Sequence, residues 1–288
     1  MDRYKDLTHF SRESTLNNFS YWFPKIKDCG IEVPKSVVIQ IPDELWKGDT
    51  FYLEDLSRNN AEIEKFVREQ VIPAIEQSTL SSPILFVKNG AFSNKFDAAA
   101  NCFSRNDVYD LVASIRNIQY ESLCFETGGE NEIVIRERIP ANEMLIPTIY
   151  NGLPLRPEIR VFYDFDIREP IFAVDYWDYD YVYPHILGAT DRIVFERMKD
   201  YLARTFALVK DSVIDLVSNS MKNVNGLEGP WSIDLMLSDY PSEVRRDLVT
   251  DLQPKYYTEP PFEPTVYLID MAVAERSAYW DRRPGKES

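Results

Sequence analysis

The sequence is poor in histidine and glycine, and each shortage excludes a class of functional site. Among 288 residues there are two histidines, His9 and His185, so a histidine-rich zinc site or a His-His-carboxylate iron site lacks ligands. A Ser-His-Asp triad would have to use one of the same two side chains. The ten glycines form neither a GxGxxG nor a GxxxxGKS/T motif. Any bound phosphate must therefore be held by side chains and metal rather than by a backbone cradle.

Cysteine is also scarce, and long apolar runs are missing. Cys29, Cys102 and Cys124 have no CxxC spacing, which predicts three reduced thiols in a cytoplasmic protein. No stretch approaches the roughly 18 apolar residues of a transmembrane helix, and the first residues have no apolar signal-peptide core. We therefore expect neither a membrane span nor export.

Basic residues are outnumbered by acidic ones, 32 to 47, and the formal net charge is −15. A body of this charge repels nucleic acid and anionic membranes, so neither is an expected partner. A hydrophobic share of 44% with 13% aromatics excludes a disordered acidic chain. At this length we expect a full core in one large domain or two lobes.

Helical and strand patterns are mixed along the chain, and the later strands look like hairpins. Helices are predicted over about 15–29, bent or split at Pro24, over 60–77, from a Ser104 cap onward, and over 191–220. The strands EIRVFYDF and PIFAVDYW form a predicted antiparallel pair around residues 166–169. This order favours an α+β fold with antiparallel sheets over a doubly wound parallel sheet.

The predicted organisation has three segments. Residues 1–80 form an N-terminal helix and strand lobe, residues 81–140 a small central lobe, and residues 141–288 a C-terminal lobe that carries the final strands. The Pro-rich and charged stretch 238–264 inside the last segment is predicted to be a surface insertion or mobile loop.

Two aspartates stand inside apolar strands, where charge is disfavoured. Asp234 lies between Ile233 and Leu235, and Asp270 has the same kind of apolar neighbours. If their strands are adjacent, the carboxylates converge and repel, and a shared proton or a cation would relieve the repulsion. Oxygen ligands without histidine suit Mg²⁺. The alternative is that each aspartate faces solvent on an exposed sheet face.

Several cations follow the same pattern. A two-residue period places Glu158, Arg160 and Phe162 on one strand face, and Arg136 and Arg138 share a face on an earlier strand. Lys88 ends an apolar strand before the polar loop NGAFSNKF, which contains Lys95. Such cations could clamp phosphates, or they could be ordinary cross-strand ion pairs. Taken with the two aspartates, they favour a polyphosphate site.

The stretch from Ala173 to Pro184 alternates acidic and aromatic residues. A solvated strand edge with aromatic rings packed beneath it would produce this pattern without any function. The functional interpretation places Asp178 or Asp180 near a metal, with the aromatic rings against a base or a partner.

The order of these motifs resembles an ATP-grasp protein. A lysine strand and loop, I-V-I-R-E, P-E-I-R-V-F, the acidic aromatic stretch ending in proline, W-S-I-D and L-I-D-M follow one another from about Gly30 to Ala274. Within that superfamily the chain is similar to the cell-division-cycle protein 123 family and to related microbial ATP-grasp proteins. The resemblance implies two antiparallel α+β lobes with ATP between them.

The same resemblance implies roles for particular residues. Lys88 would contact the phosphates with Lys95 above them, and Arg160 would reach the γ-phosphate or an acyl-phosphate. Asp234 and Asp270 would hold Mg²⁺. The strand residues that would line the adenine through their backbone groups are Arg136, Glu137, Arg138 and Ile139.

One position departs from the family pattern. The family usually has asparagine two residues after the last acidic ligand, and Ala272 stands there in this chain. The metal shell would lose a ligand, or Glu275 or water would supply it.

The leading hypothesis is an ATP- and Mg²⁺-dependent ligase. It would phosphorylate a carboxylate, and an amine or thiol would then displace the phosphate. The second hypothesis is a non-catalytic ATP-binding assembly factor with a basic protein partner, because the resembled family assembles a translation-initiation factor. The third is a structural acidic α+β protein whose strand charges are coincidental ion pairs.

Overall fold

Antiparallel sheets flanked by helices form the structure, which is a computed structural model. It describes residues 16–42, 44–45, 56–124, 131–139, 141, 145–252 and 264–285, with the backbone only at 56–60, 123–124 and 252. The predicted α+β class with antiparallel sheets is confirmed. The chain divides into one unit of residues 1–23 and 34–138 and a second unit of residues 24–33 and 139–288.

The first unit contains a four-stranded antiparallel sheet. Its strands are β1 (Ser36–Gln40), β2 (Ile84–Asn89), β3 (Cys102–Ser104) and β4 (Glu132–Glu137), in the order β1-β4-β2-β3. Because β1 pairs with β4, the predicted segments 1–80 and 81–140 share one sheet. The helices of this unit are α2 (Leu56–Phe66), α3 (Ile72–Gln77), α4 (Val108–Cys124) and residues 19–23 of α1 (Phe19–Ile26).

The core of the first unit lies on one face of this sheet. Ile39, Val87 and Ile135 alternate with residues of the other face and are at most 7% exposed. Ile63 and Ile115 from α2 and α4 pack in the same cluster. The apolar side chains that recur every two residues in the strands and about every 3.6 residues in the helices therefore pack into one apolar layer.

The second unit contains a larger antiparallel sheet and a short hairpin. The sheet is formed by β7 (Glu158–Asp164), β8 (Glu169–Asp175), β9 (Pro230–Leu237) and β10 (Val266–Val273), in the order β10-β9-β7-β8. The hairpin is β5 (Thr148–Ile149) with β6 (Leu153–Pro154). The helices are α5 (Tyr179–Val182), α6 (Ala189–Met221) and α7 (Ser242–Leu252). The predicted hairpin of β7 and β8 and the long helix over 191–220 are confirmed.

Helix α4 begins later than predicted. Asp107, not Ser104, caps it, because its Oδ1 accepts hydrogen bonds from the backbone N–H groups of Tyr109 and Asp110 at 2.9 Å and 3.0 Å. Ser104 instead ends β3, opposite Ile84. The helix predicted over 60–77 begins at Leu56 and contains a π-turn over Val67–Val71.

Two stretches predicted as strand edge or loop contain helix. The acidic aromatic stretch turns into α5 after β8, because the side chain of Asp178 accepts from the Tyr181 N–H and caps a helical turn. The predicted loop over 238–264 contains α7, whose apolar side chains Val244 and Leu248 are buried in the core of the second unit. The remainder of that stretch from residue 253 to residue 263 lies outside the described residues.

The structure describes only some of the histidine and cysteine side chains. His185 is exposed, and His9 lies outside the described residues. Cys29 and Cys102 are free thiols, and burial raises the pKa of each. In the described part of the chain, no helix has both the length and the apolar character that a membrane crossing requires.

Candidate functional site

Three charged side chains lie in one row across the sheet of the second unit. Asp234 on β9 is opposite Arg160 on β7 and opposite Asp270 on β10. Because opposite residues on neighbouring antiparallel strands point to the same face, all three side chains leave the sheet on one side. The two aspartate strands are adjacent, which is the condition under which the carboxylates are expected to converge.

A β-bulge in β10 puts Asp270 into this row. Leu268 is opposite Leu235, and the register then shifts so that Asp270, rather than Ile269, is opposite Asp234. Without the extra residue, the period of two would send the Asp270 carboxylate to the apolar face. The bulge therefore brings a second carboxylate to the face that carries Asp234.

Arg160 and Asp234 form a two-point ion pair. Nε of Arg160 donates to Oδ1 of Asp234 at 2.6 Å, and Nη2 donates to Oδ2 at 2.7 Å. The two side chains are 16% and 9% exposed, so the pair is largely removed from water. Asp234 therefore does not face solvent on an exposed sheet face, which is the alternative that the sequence left open for this residue. Charge-assisted bidentate pairs of this kind are among the strongest hydrogen-bonded contacts in proteins.

The other donor of Arg160 is also bound. Nη1 donates to Oγ of Ser277 at 2.7 Å, and the guanidinium carbon lies 5.0 Å and 5.9 Å from the ring centroids of Tyr176 and Tyr279. Burial alone would lower the pKa of Arg160, but the charge of Asp234 and its hydrogen bonds raise it overall. Arg160 is therefore a fixed cation at any pH at which the protein is folded.

The row offers oxygen donors for a metal. In the part of the chain that the structure describes, no group of three or more His, Cys, Asp or Glu side chains could hold a metal ion, so Glu275 does not complete a set with Asp234 and Asp270. Ala272 lies opposite Ser232 on the same face and brings no side-chain oxygen. Two carboxylates fit Mg²⁺, which takes one or two from a protein and fills its shell with phosphate and water. They do not fit a metal that needs a full protein cage.

In the first unit, the structure places Lys88 and Arg136 on the sheet face opposite the apolar core. Lys88 has no exposed surface, and its ammonium nitrogen lies 5.7 Å from the ring centroid of Phe19 in α1. Arg136 lies over the ring of Phe86, with 5.0 Å from its guanidinium carbon to the centroid. A phosphate can reach the ammonium of Lys88 only if the groups that cover it move.

The loop after β2 is held by buried asparagines. Oδ1 of Asn89 accepts from the N–H groups of Ala91 and Phe92 at 3.0 Å and 2.6 Å, so these amides are already bonded. Nδ2 of Asn101 donates to the carbonyl oxygens of Ser93 and Asn94. The half-buried Lys95 follows in a 3-10 turn. This loop therefore does not offer the amides of residues 91 and 92 to a phosphate.

The strand predicted to line an adenine has other partners near its end. The Glu137 carboxylate accepts from the N–H groups of Ser81 and Ser82, and these hydrogen bonds contribute to a lowered pKa although burial opposes it. The Ile139 carbonyl accepts from Nη2 of Arg156 at 2.6 Å. The charges of Arg136 and Arg138 both act on the Cys102 thiol. The role of residues 136–139 stays a prediction.

Sequence reasoning missed the side chains that surround Arg160. Ser277 lies between the two 3-10 turns that follow β10, Tyr279 lies in the second of them, and Tyr176 directly follows β8. Ser277 is 117 residues away from Arg160 in the sequence. The local signals are the clustering of Ser, Tyr, Trp and Arg in the segment RSAYWDRR and, for Tyr176, its place in the acidic aromatic stretch from Ala173 to Pro184.

Comparisons with known proteins give distant structural likenesses. The chain is similar to the biotin carboxylase domain of Hydrogenobacter thermophilus 2-oxoglutarate carboxylase, solved with MgADP, ADP and bicarbonate, at TM-score 0.38 and 11% identity, covering 90% of this chain and 40% of that one. It is also similar to a RimK domain ATP-grasp protein from Sphaerobacter thermophilus, at TM-score 0.33 and 8% identity over 89% and 57% of the two chains. D-alanyl-alanine synthetase A from Vibrio cholerae matches at TM-score 0.30 and 10% identity over 91% and 57%.

These likenesses carry no argument about the ligand or the family of this chain, because all three TM-scores are low. The chain spans about half the length of these solved structures. No protein-family model and no curated protein sequence matches it. Any functional conclusion therefore depends on the residues themselves.

Proposed function

We propose that the chain is an ATP- and Mg²⁺-binding protein of the ATP-grasp type that acts as a carboxylate–amine or carboxylate–thiol ligase. The observation that carries the proposal is the row of Arg160, Asp234 and Asp270 on one face of an antiparallel sheet. One cation and two carboxylates are the side chains that a metal–triphosphate needs. The order of sequence motifs described above supports the same assignment.

An exchange of partners would let this row receive the nucleotide. Without nucleotide, Arg160 offsets the repulsion between Asp234 and Asp270, which amounts to a few kcal/mol for charges about 4–5 Å apart at an effective dielectric of 20. A phosphate oxygen would take over the donors of Arg160. The freed oxygens of Asp234, with those of Asp270, would then hold Mg²⁺, which would neutralise phosphate charge.

The proposed reaction has two balanced steps. A carboxylate oxygen of the substrate attacks the γ-phosphorus of ATP, the bond to the β-phosphate oxygen breaks, and ADP leaves. An amine or thiol then attacks the acyl carbon, inorganic phosphate leaves with the bonding electrons, and the proton that the amine or thiol loses passes to the departing phosphate. Arg160 would stabilise the transferred phosphoryl group, and no protein nucleophile is required, which agrees with the scarcity of histidine.

The residues of the first unit enter this proposal as predictions. Lys88 and Lys95 would contact phosphate and residues 136–139 would line the adenine, as the family resemblance implies. The burial of Lys88 means that its phosphate contact would need movement of α1 or other covering groups. Nothing in the described residues favours the alternative of an assembly factor over the ligase.

Isothermal calorimetry with MgATP tests the proposed nucleotide site. Asp270→Asn removes one carboxylate of the row, and we expect at least about tenfold weaker binding, or about 1.4 kcal/mol. The matched control is Asp211→Asn on α6, whose side chain is 92% exposed and whose loss changes the net charge equally. Equal MgATP affinity in wild type and Asp270→Asn would refute the site. Release of ADP and phosphate that depends on an added acid and amine would distinguish a ligase from a binder.

A further inference from the structure

A second guanidinium stands beside the candidate phosphate site. Arg282 lies in the 3-10 segment Ala278–Arg282, and its Nη1 donates to Oδ2 of Asp178 at 2.8 Å. Its guanidinium carbon lies 5.2 Å from the ring centroids of both Tyr181 and Tyr279. The side chain is nevertheless 41% exposed.

The free part of Arg282 is the edge that recognises carboxylates. Within the described part of the chain, no group accepts a hydrogen bond from its Nε or Nη2. The same edge of Arg160 binds both oxygens of Asp234 at 2.6 Å and 2.7 Å. The two-donor fork that binds a carboxylate in Arg160 thus has no acceptor in Arg282 among the described residues.

The surroundings of Arg282 hold this fork in place. Tyr181 and Tyr279 form a pair of rings with centroids 4.5 Å apart beneath the guanidinium, and Asp178 fixes its Nη1. Asp178 is itself held, because its Oδ1 accepts from the Tyr181 N–H at 3.0 Å. A side chain that is ordered before binding loses less conformational entropy when a ligand arrives.

We propose that Arg282 binds the carboxylate group of the substrate through Nε and Nη2 and is the acid-binding residue of the ligase. This inference rests on the proposed function for the fate of that carboxylate. Arg160 and Arg282 lie over the same ring of Tyr279, at 5.9 Å and 5.2 Å from its centroid. The ring of Tyr279 therefore contacts both guanidinium groups, and the proposal requires that an acid on Arg282 reach the phosphoryl group that Arg160 would bind.

A carboxylate fits this edge better than a phosphate does. The planar pair of oxygens in a carboxylate matches the planar pair of donors, as the contact of Arg160 with Asp234 demonstrates. Asp178 already compensates part of the charge of Arg282, and the remaining attraction suits one negative charge rather than two. The neighbouring rings of Tyr181 and Tyr279 add an apolar surface for the carbon atoms of the acid.

Nuclear magnetic resonance of the full ¹⁵N-labelled chain tests the site with succinate as the probe. The Nε–H signal of Arg282 is assigned by its loss in Arg282→Lys, which keeps the charge and removes the fork. Sodium succinate, sodium phosphate and sodium chloride are titrated at equal ionic strength. We expect a saturable shift of this signal with succinate and a dissociation constant at least about fivefold lower than for phosphate.

Arg283→Lys is the matched control, because Arg283 is the next residue and contacts Trp280 instead. It should leave the succinate titration unchanged. The absence of a saturable shift, an equal shift with chloride, or tighter binding of phosphate would each overturn the proposal. The acid site is tested separately from the nucleotide site, because Arg282→Lys should bind MgATP with the affinity of the wild type. If the protein shows the succinate shift but binds no MgATP, the proposed function is refuted and the acid site is not.

Discussion

At the scale of single residues, Arg160 is the most constrained side chain of the candidate site. Its donors bind Asp234 and Ser277, and two tyrosine rings lie against its guanidinium. The sequence predicted Arg160, Asp234 and Asp270 as candidate site residues, because a charge inside an apolar strand is costly unless it has a partner or a ligand. It could not predict Ser277 or Tyr279, because those contacts form only when distant segments meet.

Asp175 gives a residue-scale prediction for stability against pH. Burial, with the charges of Asp178 and Glu158, raises the pKa of Asp175 to about 7, although a hydrogen bond from the Trp177 N–H opposes the shift. The folded protein therefore keeps a proton that the unfolded chain loses near pH 4, and the stability contribution of this group falls as pH rises from about 4 to about 7.

The variant Asp175→Asn cannot titrate, so its free energy of unfolding should rise relative to wild type by about 2.5 kcal/mol between pH 5 and pH 8. Urea denaturation at both pH values measures the difference. Asp211→Asn, on an exposed turn of α6, should show a constant offset. A difference between wild type and Asp175→Asn that does not change with pH would contradict the raised pKa.

At the scale of elements, periodicity predicted most helices and strands, whereas their ends depended on single hydrogen bonds. The alternating pattern of β7 placed Arg160 and Phe162 on one face and Val161 on the other, as the register confirms. The bulge that brings Asp270 opposite Asp234 could not be predicted from the sequence. Both strands contain Ile-Asp between apolar residues, so the sequence does not distinguish the bulged strand from the regular one. Asp178 converted a predicted strand edge into a helical turn by the same local capping that set the start of α4.

The cap of α4 gives an element-scale prediction. Asp107→Ala removes the acceptor for two backbone N–H groups at the helix N-terminus and should lower the free energy of unfolding by about 1 kcal/mol. Ser104→Ala, at the position that the sequence alone favoured as the cap, should change it by less than about 0.5 kcal/mol. Chemical denaturation of both variants checks this, and the reverse order of effects would contradict the observed cap.

At the scale of the whole molecule, the chain is acidic, yet its candidate ligand-binding arginines are each held by an ion pair. The net charge is −15, but Arg160 and Arg282 both contact the ring of Tyr279, and each is paired with a single aspartate. Composition predicted the exclusion of nucleic acid, which depends on the summed charge, whereas the order of helix and strand patterns predicted the α+β class. It could not predict which cations meet, since that depends on sheet order and on the turns after β10.

The central claim is that Asp234 and Asp270 hold the metal of a nucleotide whose phosphate binds Arg160. Anomalous X-ray diffraction from crystals grown with Mn²⁺ and a non-hydrolysable ATP analogue tests it most directly. We expect an anomalous peak within coordination distance of both carboxylates, with Arg160 turned from Asp234 to a phosphate oxygen. A metal and nucleotide bound elsewhere, with the Arg160–Asp234 pair intact, would contradict it.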